Sequence, residues 1–153
     1  MSKGYTITFD WTVTHRVDLE ALRAVASRTL KAERVRAPAE LDIMLTDDGN
    51  IRALNKRFRG IDASTDVLSF AQYDQELPPA APPGYPRYIA DVAISLETAH
   101  RQAKRYGIPL RDEVSHLLVH GILHALGYDH EDPADEEKMR AREEKILGAA
   151  HHH

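Results

Sequence analysis

From Tyr5 to Val13 apolar residues at Ile7, Phe9, Trp11 and Val13 alternate with polar ones, a period of two that predicts a strand. The period then lengthens. Leu19, Leu22, Ala26 and Leu30 recur at helical spacing behind Asp18, a good N-cap, with Arg23, Arg28 and Lys31 outside, so a helix is predicted to about Ala32. Leu41, Ile43 and Leu45 alternate with Asp42 and Met44, a second strand. Ile51, Leu54 and Phe58 give a short helix over Gly49 to Phe58. Third and fourth strands are predicted over Asp66 to Phe70 and Ile89 to Ser95, the latter with Val92 and Ile94 on one side. Ser95 caps a helix to Tyr106, which Gly107 stops and Pro109 keeps from continuing. Leu110 to Leu126 is apolar nearly all round, the pattern of a core helix, and Gly127 ends it. A last, acidic helix runs from Asp135 to Leu147 with Met139, Ile146 and Leu147 facing in.

This order predicts an α+β or three-layer α/β domain: one small mixed sheet of four strands packed with about five helices, with the site at the C-terminal end of the long core helix. A length of 153 residues suits a single catalytic domain over residues 1–150. Five of the eight prolines fall in 74–87, read as a loop inside that domain. His151, His152 and His153 look like a tag remnant.

Composition narrows the chemistry. No apolar run approaches the roughly 18 residues of a membrane span, and the first residues lack the apolar core of a secretion signal. The chain has no cysteine, which excludes disulfides, thiolate ligands and a cysteine nucleophile and fits a reducing cytoplasm. A net charge of −4 means that any nucleic acid must be met by a local basic patch. Outside the tail there are six histidines, and His116, His120, His124 and His130 fall within fifteen residues.

His120 and His124 are four apart on the core helix and so share a face. Gly127 permits the bend that returns His130 to the same point. Three neutral imidazoles make an open zinc site with a free position, able to activate water or polarise a phosphoryl oxygen. The alternatives are hydrogen-bonded core histidines, which would bury three imidazoles at considerable cost, and a closed structural site with Asp129 as fourth ligand. Asp129 is otherwise an orienting neighbour. His116 cannot share one ion with His124, since eight residues of helix separate them by roughly 12 Å, and it reads as a polar neighbour of the site. The spacing H-x-x-x-H-x-x-G-x-x-H is that of the metzincin proteases, but the position of their glutamate base is Gly121, which disfavours peptide hydrolysis.

His120-Gly121-Ile122-Leu123-His124-Ala125-Leu126-Gly127-Tyr128-Asp129-His130 resembles the signature of the YbeY family, bacterial single-domain endoribonucleases of rRNA maturation. Asn55 to Gly60 with Thr65 to Phe70, Asp91 to Ser95, Glu113 and the acidic last helix also fit, so that the resemblance spans roughly Leu41 to Leu147. Ala71 and Ala90 depart from the family's proline and glycine. The resemblance implies a zinc-dependent, single-strand-specific endoribonuclease of the cytoplasm. It would act in 3′ maturation of 16S rRNA and in ribosome quality control, with the small ribosomal subunit and its proteins as partners. It also implies His120, His124 and His130 as metal ligands, one zinc per chain, and Arg59 and His120 as catalytic residues.

Arg59 suits that role, because a guanidinium fork matches phosphate oxygens. Arg52, Lys56 and Arg57 beside it, and Arg101, Lys104 and Arg105 further on, are the candidate RNA-binding patch, although a charge run is commonly a solvated helix face. Tyr73, Tyr85 and Tyr88 border the proline loop and either anchor it or stack on unpaired bases. The general base stays open between metal-bound hydroxide, His116 and Glu113. Two other functions compete: a metal-stabilised RNA-binding ribosome assembly factor without significant turnover, and a metallohydrolase of another substrate. Oligomeric state, cleavage site and attack by water or by the 2′-hydroxyl are not encoded legibly.

Overall fold

A computed structural model describes residues 4–70, 85–128 and 132–148. The chain order is β1 (Tyr5–Trp11), α1 (Leu19–Ala32), β2 (Ala39–Thr46), α2 (Asp48–Arg59), β3 (Val67–Phe70), β4 (Arg87–Ser95), α3 (Leu96–Tyr106), α4 (Leu110–Ala125) and α5 (Pro133–Leu147). The sheet order is β1-β2-β4-β3. β1 and β4 flank β2 in parallel, and β3 runs antiparallel to β4 at the edge. The mixed four-stranded sheet and five helices agree with the expected fold class.

Alternation decides which face each strand presents. Leu41, Ile43 and Leu45 of β2, with Val92 and Ile94 of β4, are fully or almost fully buried in the main core beneath α1, α3 and α4. The opposite face is smaller: Leu68 and Ala93 pack with Ile51 of α2. The sheet is therefore covered on both sides, which makes three layers. α4 is buried nearly all round, as Val114, Leu117, Leu118, Val119, Ile122 and Leu123 require.

The helix ends follow side-chain chemistry. Asp18, Asp47 and Ser95 each accept a hydrogen bond from the third residue on, at Ala21, Asn50 and Thr98. Asp132 caps α5, with Pro133 in its first turn, so that helix begins two residues before the expected Asp135. β1 stops at Trp11 instead of Val13, and β4 begins at Arg87 instead of Ile89. The early start of β4 accompanies a register shift between Glu40 and Leu41 of β2, which breaks the simple alternation that a sequence pattern reads. Most of the proline-rich loop, Ala71, Tyr73, Asp129, His130 and the histidine tail lie outside the described residues. Among those described, no helix is long and apolar enough to cross a membrane.

Candidate metal centre and cleft

Gly121 decides where α4 sits. A β-carbon built there would stand 2.8 Å from Val92 Cγ1, 3.0 Å from Val67 Cγ2 and 3.3 Å from Ser69 Oγ. Real β-carbons do not approach atoms so closely, so the glycine lets α4 lie directly on β3 and β4. Ser69 Oγ donates to the Gly121 carbonyl and locks that approach. The same contact accounts for the missing protease base: a glutamate side chain at this position has no volume to enter.

With α4 so placed, His120 and His124 line a cleft of about 410 Å³ together with Gly121, Asn55, Arg59, Ile61 and the β3 residues Asp66 to Ser69. Arg59 Nη2 donates to the Ser69 carbonyl at 2.9 Å, which holds the guanidinium against the edge strand. The geometry thus brings His120, His124 and Arg59 to one concavity. At the far end of α4, Gly127 takes φ 109°. Tyr128 N donates to Leu123 O and Gly127 N to His124 O, both at 3.1 Å, the paired bonds of a Schellman stop. The expected glycine bend is therefore present. His130, three residues beyond Gly127, lies outside the described residues.

His120 has a second neighbour that sequence reading missed. Glu143 of α5 is buried, and its Oε2 lies 2.7 Å from His120 Nδ1. Burial opposes charging of the ring. The hydrogen bond and charge of Glu143, aided by Asp66, outweigh it and hold the pKa of His120 above its ordinary 6.5. A carboxylate on Nδ1 fixes the tautomer with the proton there, so that Nε2 carries the lone pair. A signal for Glu143 exists in the sequence: it stands four residues after Met139 and three before Ile146, on the inward stripe of an otherwise exposed helix.

Metal-ligating atoms of His116, His120 and Glu143 lie within 4.8 Å of one another, a group able to hold a metal ion among the described residues. This set shares His120 with the motif's set. The 2.7 Å bond bears on the set with Glu143. Two donors on one tetrahedral ion at about 2.1 Å stand about 3.4 Å apart, so an ion shared by His120 Nδ1 and Glu143 would have to open that bond. The contact has the dimensions of a carboxylate orienting a ligand histidine. His120 stands between the two sets, lining the cleft with His124 and the smaller pocket with His116 and Glu143, and the imidazole donors of either set fit a divalent cation.

The other expected residues divide. His116 is buried, with its ring 5.9 Å from that of His120. Glu113 is fully buried between helices, where it accepts from Gln102 Nε2 at 2.5 Å, and it does not line the cleft. Arg52 is paired with Asp62 at 2.7 Å and Arg101 with Asp48 at 2.8 Å. Lys56, Arg57, Lys104 and Arg105 are exposed on helix surfaces. The guanidinium of Arg57 lies over the Phe58 ring and that of Arg105 over Tyr106. Of the six flanking cations none lines the cleft, whereas Arg59 does. Tyr85 is exposed; burial and the neighbouring Asp91 push the Tyr88 hydroxyl well above its usual pKa. Asp66, missed as a site residue, lines the cleft on one side of His120 and the smaller Glu143 pocket on the other.

The family model described as "Endoribonuclease YbeY" matches residues 9–151. The chain belongs to the YbeY family. Curated relatives named "Endoribonuclease YbeY" include one from Roseiflexus sp. (strain RS-1), 49% identical over 87% of this chain and 84% of the relative. Another, from Chloroflexus aggregans, is 46% identical over 87% of this chain and 88% of the relative. The solution structure of TM1509 from Thermotoga maritima superposes with a TM-score of 0.58 at 24% identity, covering 94% of this chain and 86% of that one, a likeness of fold. Membership agrees with the expectation of an enzyme of the nuclease class, and the matched region extends beyond the Leu41–Leu147 span of the sequence resemblance.

Proposed function

We propose that the chain is a zinc-dependent endoribonuclease that cleaves single-stranded RNA in the cytoplasm, acting in 3′ maturation of 16S rRNA and in ribosome quality control. The small ribosomal subunit and its proteins would be its partners. The observation that carries this reading is the convergence of His120, His124 and Arg59 on one cleft.

In this reading His120 and His124 hold the ion, with His130 as third donor from the motif. A divalent cation so bound supplies Lewis acidity toward a phosphoryl oxygen and toward water. Glu143 holds the proton at His120 Nδ1 and orients the ring, so that Nε2 is the atom offered to the ion. Arg59 spends one of its five N–H donors on Ser69 O. Its other donors serve the phosphate, where a planar fork stabilises charge growing on the oxygens during cleavage. Buried Gly121 brings α4 against the strand that Arg59 grips, so His120, His124 and the guanidinium are positioned by one packing contact. The net charge of −4 leaves Arg59 and the surrounding helix faces to attract RNA locally.

The test is cleavage of single- and double-stranded RNA by metal-loaded protein beside Arg59→Glu and His124→Ala. The reading expects single-strand cleavage by the wild type, no cleavage by Arg59→Glu with metal retained, and loss of both metal and cleavage in His124→Ala. Cleavage that survives in His124→Ala would remove the metal from the reaction.

A further inference from the structure

Glu33 lies at the C-cap of α1, outside the cleft, yet its side chain is only 7% exposed and both oxygens are used. Oε1 accepts from the Tyr128 hydroxyl at 2.6 Å. Oε2 accepts from Arg142 Nε at 2.7 Å and lies 2.6 Å from Arg142 Nη2, which also donates to Ala32 O at 3.1 Å.

The two residues that Glu33 holds are placed tellingly. Tyr128 closes the Schellman stop of α4, four residues after His124 and two before His130. Arg142 is the neighbour of Glu143 on α5, and Glu143 is the carboxylate on His120 Nδ1. One carboxylate therefore ties together the end of the helix that carries the histidines and the helix that orients them. The helix end beside it is equally constrained. Arg34, the next residue, takes φ 58°, a left-handed conformation that non-glycine residues adopt at a cost. Arg34 N donates to Lys31 O and Val35 N to Leu30 O, so α1 stops in the same motif as α4. The pair is half-buried, with the Arg142 side chain 26% exposed, and such a carboxylate–guanidinium pair contributes little net stability, since desolvation offsets attraction. Here the contacts join the end of α1 to Tyr128 after α4 and to Arg142 of α5.

We propose that Glu33 is a positioning residue for metal binding: by holding Tyr128 and Arg142 it sets α4 against α5, and with them His124 and the Glu143–His120 bond. This rests on the reading that His120 and His124 hold the cation.

The experiment compares wild type with Glu33→Gln, and with Tyr128→Phe, which deletes one hydroxyl and keeps the ring. Zinc affinity is read by competition with a chromophoric chelator, the Co²⁺ derivative by its absorption spectrum, and the metal-free protein by its melting temperature. Changes to groups that orient ligands lower metal affinity about 10- to 100-fold. The expected result is a loss of tenfold or more in Glu33→Gln and of threefold or more in Tyr128→Phe, with an altered Co²⁺ spectrum. Affinities within threefold of wild type in both variants, whatever the melting temperatures do, would overturn the proposal and leave Glu33 a stability residue only. Were wild type itself to bind neither ion, the metal reading would fail first and take this inference with it.

Discussion

Replacing Gly121 with alanine tests the contact on which the whole site is built. Two opposing effects are involved. Alanine in a helix interior is favoured over glycine by about 0.8–1 kcal/mol. Against this, the new methyl would meet Val92 Cγ1 at 2.8 Å and Val67 Cγ2 at 3.0 Å, on a residue that is buried between helix and sheet. Both neighbours are β-branched and stiff, so α4 itself must give, and overpacking of this kind costs about 1–3 kcal/mol. Gly49 is the internal control: it too is helical, but its β-carbon would meet only Asp47 Oδ1 at 3.6 Å, ordinary contact. Gly49→Ala should hold or raise the melting temperature. Gly121→Ala should lie below it by the packing cost, about 2–12 °C at the 2–4 °C per kcal/mol expected for a domain of this size. It should also weaken zinc binding, since lifting α4 moves His120 and His124 off β3. The assay is thermal unfolding by circular dichroism of both variants, metal-free and with zinc. If Gly121→Ala were as stable as Gly49→Ala and bound zinc like wild type, the close approach would not position the site.

Other consequences can be measured as directly. Burial opposes ionisation of Asp48, but hydrogen bonds from Ser95, Thr98 and Arg101 prevail and lower its pKa from 3.8 to about 2. The stability this contributes is complete above the unfolded value near 3.8 and is lost as pH falls toward 2, so Asp48→Asn should flatten the loss of stability between pH 5 and 2 in urea titrations. An equal slope in both proteins would refute that assignment. Arg59→Ala should reduce RNA cleavage by about a hundredfold or more with metal content unchanged, as expected for removal of a charge-stabilising donor. A fall of less than threefold would take Arg59 out of the reaction. Glu143→Gln keeps the shape but lacks the charge, and should weaken zinc binding about tenfold by isothermal titration while α5 stays folded by far-ultraviolet circular dichroism. Unchanged affinity would leave Glu143 without a part in orienting His120.

Much of the fold was legible because burial followed simple periods. Leu41, Ile43 and Leu45 alternate and are buried alternately, and α4 reads as apolar all round because both the sheet and other helices cover it. Element ends were less legible, since a register shift in β2 and a capping Asp132 act through tertiary geometry and single side chains. The convergence of His120 and His124 could be read from spacing, and Gly127 from the bend the motif demands. Glu143 could not be singled out among the acidic residues of α5 without weighing its place on the Met139–Ile146 stripe. Charge counts do not show that Arg52 and Arg101 already face Asp62 and Asp48. Gly121 was read as the loss of a catalytic group, whereas its first meaning is the close packing of a helix on a sheet.

The most direct measurement is anomalous diffraction at the zinc edge from crystals grown with zinc. The ion should lie about 2.0–2.1 Å from His120 Nε2 and be bonded to His124, with Glu143 still hydrogen-bonded to His120 Nδ1. An ion bonded directly to Glu143 and His116, with His124 turned away, would contradict that placement.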